Sequence, residues 1–177
     1  MRGALKLDFL KLVCLFIVMT VIGCASEEVV QLIPKDYATW VSTVEEPLTY
    51  RIPGHTSLYR VIYINEIGTQ VSVDATEGGK RYEYPPGTII AKASHPDSEG
   101  KEEPDLTVMI KKPDHPQALS GWIYLSKDAG SDQENIFSAE FCIDCHTNAN
   151  ERHPYGDKNR LNEFRDFVFF PFTKPAE

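Results

Sequence analysis

The chain of 177 residues is short of cysteine, methionine and positive charge, and each shortage removes a class of explanation. Four cysteines are too few for a small scaffold stapled by disulfides. Of the three methionines, Met1 and Met19 fall at the extreme N-terminus, and none follows Met109. Lys and Arg number 18 against 26 Asp and Glu, a net charge of −8. With no basic stripe, this balance argues against nucleic acid as a partner and against electrostatic docking on anionic lipid. No apolar run approaches the roughly 20 residues that a bilayer-spanning helix needs. Internal repeats and low-complexity segments are absent too.

The N-terminal stretch reads as a targeting segment rather than as part of the fold. Arg2, Lys6 and Lys11 precede an apolar run from Leu12 to Ile22, which suits a signal-peptide core. That run ends in Val21-Ile22-Gly23-Cys24-Ala25-Ser26, which resembles the lipobox of bacterial lipoproteins. The resemblance implies cleavage before Cys24 and lipidation of its sulfur, whereas an ordinary signal peptide would leave Cys24 incidental. On this reading residues 1–23 are the signal peptide, 24–35 a tether and 36–177 one domain, exported and lipid-anchored to the cell envelope. The domain would face the periplasm or the cell exterior. Several acyl chains would hold it far more firmly than one myristoyl chain, which binds only marginally.

Within the domain, Asp36 to Val44 has the spacing of a short helix, with Tyr37, Trp40 and Val44 on one side. Leu58 to Asn65 alternates, placing Arg60, Ile62 and Ile64 opposite Val61 and Tyr63, and is the clearest strand. Glu66 to Thr76 fits either helix or strand. Pro85-Pro86-Gly87 is a turn signal opening a second strand, Thr88 to Ala93. His95 to Pro104 is polar and loop-like. Leu106 to Lys111 and Trp122 to Leu125 read as further strands, Ile136 to Thr147 as a helix, and Phe167 to Phe170 as a last short strand. Strands separated by turns, with few helices, predict an α+β fold dominated by an antiparallel sheet.

The leader and the lipobox account for Cys14 and Cys24, so two cysteines remain. They stand in Cys142-Ile143-Asp144-Cys145-His146, the C-x-x-C-H signature of covalent haem attachment. Positions three apart share one face of a helix, so both sulfurs can reach neighbouring vinyl groups of one porphyrin. The histidine that follows supplies an axial nitrogen to the iron. The competing readings are a thioredoxin-like redox pair, which prefers a βαβ setting, and half of a zinc site, which needs further ligands. The pattern therefore predicts one covalent haem c, on Cys142 and Cys145, with His146 as iron ligand. For a sixth ligand the candidates are Met109, His55, His95, His115 and His153. The histidines stand beside proline or glycine in loop-like segments, and an open, five-coordinate iron is the expectation.

Taken in order, several segments resemble the cytochrome P-460 family and its relatives, the beta-type cytochromes c-prime. They are Tyr59-Arg60-Val61-Ile62-Tyr63-Ile64-Asn65, Tyr84-Pro85-Pro86-Gly87-Thr88-Ile89-Ile90-Ala91-Lys92, Val108-Met109-Ile110-Lys111 and Ser120-Gly121-Trp122. The haem motif and Asp166-Phe167-Val168-Phe169 close the series, so the match spans about Tyr37 to Phe170. The resemblance implies an antiparallel β-fold, a homodimer and a five-coordinate haem that handles small nitrogen oxides. Members bearing the P-460 chromophore oxidise hydroxylamine and carry a bond from a lysine to a porphyrin meso carbon. Lys92 matches that lysine's position. The c-prime relatives lack the bond and bind nitric oxide.

One position departs from the family. Hydroxylamine oxidisers carry a distal carboxylate just before the Met-Ile-Lys segment, and here Thr107 stands at that place. A hydroxyl is too weakly acidic, and its oxygen too weakly basic, to replace a carboxylate as proton acceptor near neutrality. Asp105 and Glu103 are its nearest acidic neighbours. Three functions are thus in view. They are a hydroxylamine or nitric oxide oxidoreductase served by a redox partner protein, a nitric oxide binder, and a six-coordinate electron carrier.

Overall fold

The computed structural model describes residues 31–52, 55, 59–137 and 140–174. The signal peptide, Cys24 and most of the tether, residues 1–30, lie outside the described residues. Among the described residues eight strands are present: β1 (Val41–Ser42), β2 (Tyr59–Ile64), β3 (Ser72–Thr76), β4 (Gly79–Glu83), β5 (Ile89–His95), β6 (Asp105–Lys111), β7 (Trp122–Lys127) and β8 (Asn135–Phe137). The α-helix α1 (Glu140–Thr147) follows them, and short 3₁₀ turns cover Tyr37–Thr39, Gly68–Gln70 and Asn148–Asn150. Six strands form one antiparallel sheet in the order β1-β2-β5-β6-β7-β8, with β3 and β4 as a separate hairpin. This is the expected α+β fold, mostly antiparallel β. Among the described residues no helix is long and apolar enough to cross a membrane.

Alternation along each strand divides the sheet into two faces, because successive side chains point opposite ways. On one face Ile64, Ile90, Met109 and Tyr124 form a continuous cross-strand row. They join Tyr82, Tyr84, Trp122, Val168 and Phe172 in one buried cluster. The next row on that face runs Ile62, Lys92, Thr107, Ser126. On the other face Ala91, Ala93, Leu106, Val108, Ile110, Ile123 and Leu125 pack with Ile33 from the N-terminal side. Both faces are covered, which explains why β7 is buried along Trp122 to Leu125 rather than alternating in exposure.

Three local expectations are corrected. The stretch from Asp36 to Val44 is not a helix; a single 3₁₀ turn gives way to β1, which pairs Val41 with Ile64 and Ser42 with Tyr63. Pairing with β2 supplies backbone partners that an isolated two-turn helix would lack. The predicted helix from Ile136 divides instead, since Ile136 pairs with Leu125 in β8 and the helix begins at Glu140. Phe167 to Phe170 forms no strand. Asp166 and Phe167 adopt positive φ values of 48° and 68°, a left-handed backbone that cannot continue a β-ladder. The ambiguous stretch from Glu66 resolves into the Gly68–Gln70 turn followed by β3. At the Pro-Pro-Gly turn, Gly87 has φ 89° and donates its N–H to the Lys111 carbonyl at 2.8 Å. A side chain there would be strained.

The irregular C-terminal segment is tied to the sheet by one buried carboxylate. Asp166 accepts from Lys111 Nζ at 2.7 and 2.9 Å, from the Tyr84 N–H at 3.0 Å and from Trp122 Nε1 at 3.3 Å. Its neighbours are held from the other side, where Asn150 Oδ1 accepts from the N–H groups of Arg165 and Phe167 at 2.8 and 3.1 Å. Side-chain exposure is 13% for Lys111 and 7% for Asp166, so the pair is largely desolvated. Removing one partner strands a buried charge, which typically costs about 3–5 kcal/mol. Asp166→Ala should therefore lower the unfolding free energy by about that amount in a urea titration. An effect under about 0.5 kcal/mol would place Asp166 among ordinary surface positions.

Candidate functional site

Helix α1 and the C-terminal segment close over the Lys92–Thr107 row of the sheet and leave a cavity of about 310 Å³. That volume lies at the lower end of small-molecule and cofactor sites, about 300–1,000 Å³. Its walls are mostly apolar, with Ile62, Ile90 and Met109 from the sheet and Val168, Phe169 and Phe170 from the irregular segment. Phe137 and Phe141 also line it and are 37% and 68% exposed, so they form its rim. Cys142, Cys145 and His146 face it from α1, and Lys92 and Thr107 from adjacent strands, where they are direct cross-strand neighbours. The candidate residues of the domain thus meet in one place, although as many as 54 positions separate them in the sequence.

Cys142 and Cys145 are half-buried and form no disulfide with each other, and burial raises the pKa of each thiol. The His146 ring is fixed in one orientation. Its Nδ1 lies 2.8 Å from the Phe167 carbonyl, which can only accept, so Nδ1 carries the proton and Nε2 keeps a free lone pair. Tyr124 and Phe169 pack edge-on against the ring, with centroids at 5.3 and 5.4 Å. Desolvation, the largest influence, lowers the His146 pKa to about 4, so the imidazole is neutral near pH 7. A neutral imidazole with a backbone-bonded Nδ1 is the form in which histidine ligates a metal through Nε2.

Of the four other histidines, only His55 lines the cavity. It is half-buried rather than a solvated loop residue, and its Nδ1 is in hydrogen-bond contact with Lys92 Nζ. His95 Nδ1 instead lies 3.3 Å from the Glu102 carbonyl. His115 and His153 accept from the N–H groups of Gln117 and Tyr155, each at 3.2 Å. The His55 contact joins residues 37 positions apart, and nothing in its local sequence announces it. Burial and the nearby Arg60 guanidinium lower the Lys92 pKa to about 7. Burial, and after it the charge of Lys92, lower that of His55 to about 3.

Among the described residues no carboxylate lines the cavity. Asp105 Oδ1 accepts from the Ala129 N–H at 2.9 Å, outside it. Glu103 is exposed and lies near Tyr37, which packs on the opposite face of the sheet. Thr107 Oγ1 and the Tyr124 hydroxyl are buried without a hydrogen-bond partner. Such orphaned groups are costly unless something fills the space beside them. Among the described residues no group of three or more His, Cys, Asp and Glu side chains is placed to hold a metal ion, as a zinc site would require. A flat, largely apolar macrocycle carrying its own iron suits these walls, with two thiols and one imidazole nitrogen presented to it.

The combination makes this cavity the candidate haem-binding site on an antiparallel β-domain. The chain belongs to the cytochrome P460 family, whose model matches residues 34–170 and so takes in the sheet, α1 and the segment that closes the cavity. No curated protein matches the chain.

The depressed amine makes a sign-specific prediction for the haem-free protein. Between pH 7 and about 10.4, the unperturbed lysine value, the unfolded chain binds a proton on Lys92 that the folded chain does not. The Lys92 contribution to stability should therefore rise with pH across that window and stay constant below it. Lys92→Met should raise the unfolding free energy at pH 7 and flatten this rise relative to the native chain. Parallel pH profiles for the two proteins, measured by urea unfolding, would contradict the assignment.

Proposed function

We propose that this chain is an exported c-type cytochrome whose open iron site takes small nitrogen oxides, with hydroxylamine or nitric oxide as substrate or ligand. One haem c would be bonded through Cys142 and Cys145 and ligated by His146 Nε2. The single observation that carries the reading is the convergence of these three groups, with Lys92 and Thr107, on one apolar cavity. When bound, the haem supplies a one-electron centre and an open coordination position. The protein supplies the rest. Phe167 orients His146, the apolar walls exclude water, and Phe137 and Phe141 frame the entrance.

Lys92 lines the cavity, which supports the reading that it would bond to the porphyrin. With no carboxylate in the walls among the described residues, turnover that relied on one would be slow and simple nitric oxide capture is favoured, since general-base assistance is typically worth about 10²–10⁴-fold. Met109 also lines the cavity but is committed to the row between Ile90 and Tyr124, where its thioether fills core space. Cys24 would carry the lipid anchor that holds the domain at the cell envelope. A redox partner protein and a second copy of this chain complete the proposed assembly.

An absorption spectrum tests the reading. The ferric protein should be substantially high-spin, and the ferrous form should bind nitric oxide. A lysine–haem bond should shift the ferrous Soret band to the red, and Lys92→Ala should restore an ordinary c-type spectrum. Thr107→Glu should speed hydroxylamine oxidation by about 10²-fold or more if a base is what is missing. A low-spin spectrum in both oxidation states would instead assign the site to six-coordinate electron transfer.

A further inference from the structure

The cavity contains a proton acceptor that the family comparison does not assign. We propose that His55, held through Nδ1 by Lys92, accepts the proton that a protic ligand must shed on binding, the role Thr107 cannot fill. The inference rests on the proposed haem site, and it concerns which side chain serves that site as base.

Three observations carry it. His55 and Lys92 touch inside the cavity, so a proton delivered to either is shared between two nitrogens. Among the described residues no carboxylate lines the cavity to compete for the role, and Asp105 is engaged by Ala129 outside it. The imidazole of His146 is committed through its own Nδ1 to Phe167, which leaves His55 as the other imidazole that lines the cavity. The charged and titratable groups around His55 are Arg60 on β2, Lys92 on β5 and His146 on α1. Cys142 and Cys145 of α1 act on Lys92.

The pairing makes Lys92 a control on His55. After burial, the ammonium charge of Lys92 is the largest influence that opposes protonation of the imidazole. A neutral amine removes that repulsion, whether it has lost its proton or has been bonded to another group. His55 then becomes the stronger base. The step is a proton transfer alone: with Lys92 as a neutral amine accepting from the His55 Nδ1–H, the ligand's X–H bond breaks, the proton passes to the free lone pair of His55 Nε2, and no electrons change hands. Fixing a positive charge at position 92 should weaken the base, and removing it should strengthen it.

Cyanide uptake by the ferric holoprotein provides the test, because hydrogen cyanide must lose a proton to bind, whereas nitric oxide has none to lose. The ratio of the cyanide rate to the nitric oxide rate should fall about 100-fold in His55→Gln, the lower end of general-base assistance. It should fall in Lys92→Arg and hold or rise in Lys92→Gln, so the two Lys92 variants must move apart. Nitric oxide uptake by each variant reports that the cavity is intact. An unchanged ratio in His55→Gln, or Lys92→Arg and Lys92→Gln shifting alike, would overturn the proposal. So would conversion of a low-spin native spectrum to high-spin in His55→Gln, which would make His55 an iron ligand. Absence of a Soret band in the native protein would be a distinct failure, that of the haem site itself.

Discussion

The site depends on a buried carboxylate that joins the sheet to an irregular strand of chain. Asp166 gathers the ammonium of Lys111, the indole N–H of Trp122 and the backbone N–H of Tyr84. It does so at a point where the backbone takes a left-handed conformation. That kink turns the Phe167 carbonyl toward His146 and sends Val168, Phe169 and Phe170 into the cavity wall. Asn150, just beyond α1, binds the same kink from the other side. Helix, kink and sheet are thereby locked together, and the ring of His146 has one orientation available. A short helix with no fully buried residue of its own could not fix that orientation by packing alone.

The sheet contributes a second constraint through register. Because side chains alternate and β5 pairs with β6 without slippage, Lys92 and Thr107 must stand side by side on the cavity face. Ile62 and Ser126 flank them in the same row. A slip of one residue in either strand would turn its member of the Lys92–Thr107 pair to the opposite face. The polar groups of the cavity therefore form a small island in apolar walls. In that setting burial depresses the basicity of Lys92, His55 and His146 together. A site whose nitrogens are held weakly basic, with no carboxylate among its described walls, suits uncharged or weakly acidic ligands better than cations.

Much of this was legible in the sequence. The C-x-x-C-H spacing identifies its three residues without any structure, and alternation in Tyr59 to Ile64 reads directly as a half-buried strand. The strands around Lys92 and Thr107 were equally clear, although their pairing was not, since pairing is a matter of register between distant segments. Phe167 to Phe170 misled because apolar residues that line a cavity look like those that fill a sheet. Ile136 misled because a strand of three residues runs almost directly into a helix. The pairing of His55 and the anchoring role of Asp166 were not legible for one reason: their partners lie 37 and 44 to 82 residues away. A lone polar residue in a loop carries no local sign of such a partner.

The central claim is that the cavity holds a haem bonded to the polypeptide at Cys142 and Cys145. Mass spectrometry of the denatured, proteolysed holoprotein tests it most directly. The account predicts one peptide spanning Cys142 to His146 that retains the mass of a haem. Should Lys92 also be bonded, a second peptide containing it would travel with the first. Recovery of the Cys142–Cys145 peptide free of haem, with both thiols alkylatable, would contradict the account.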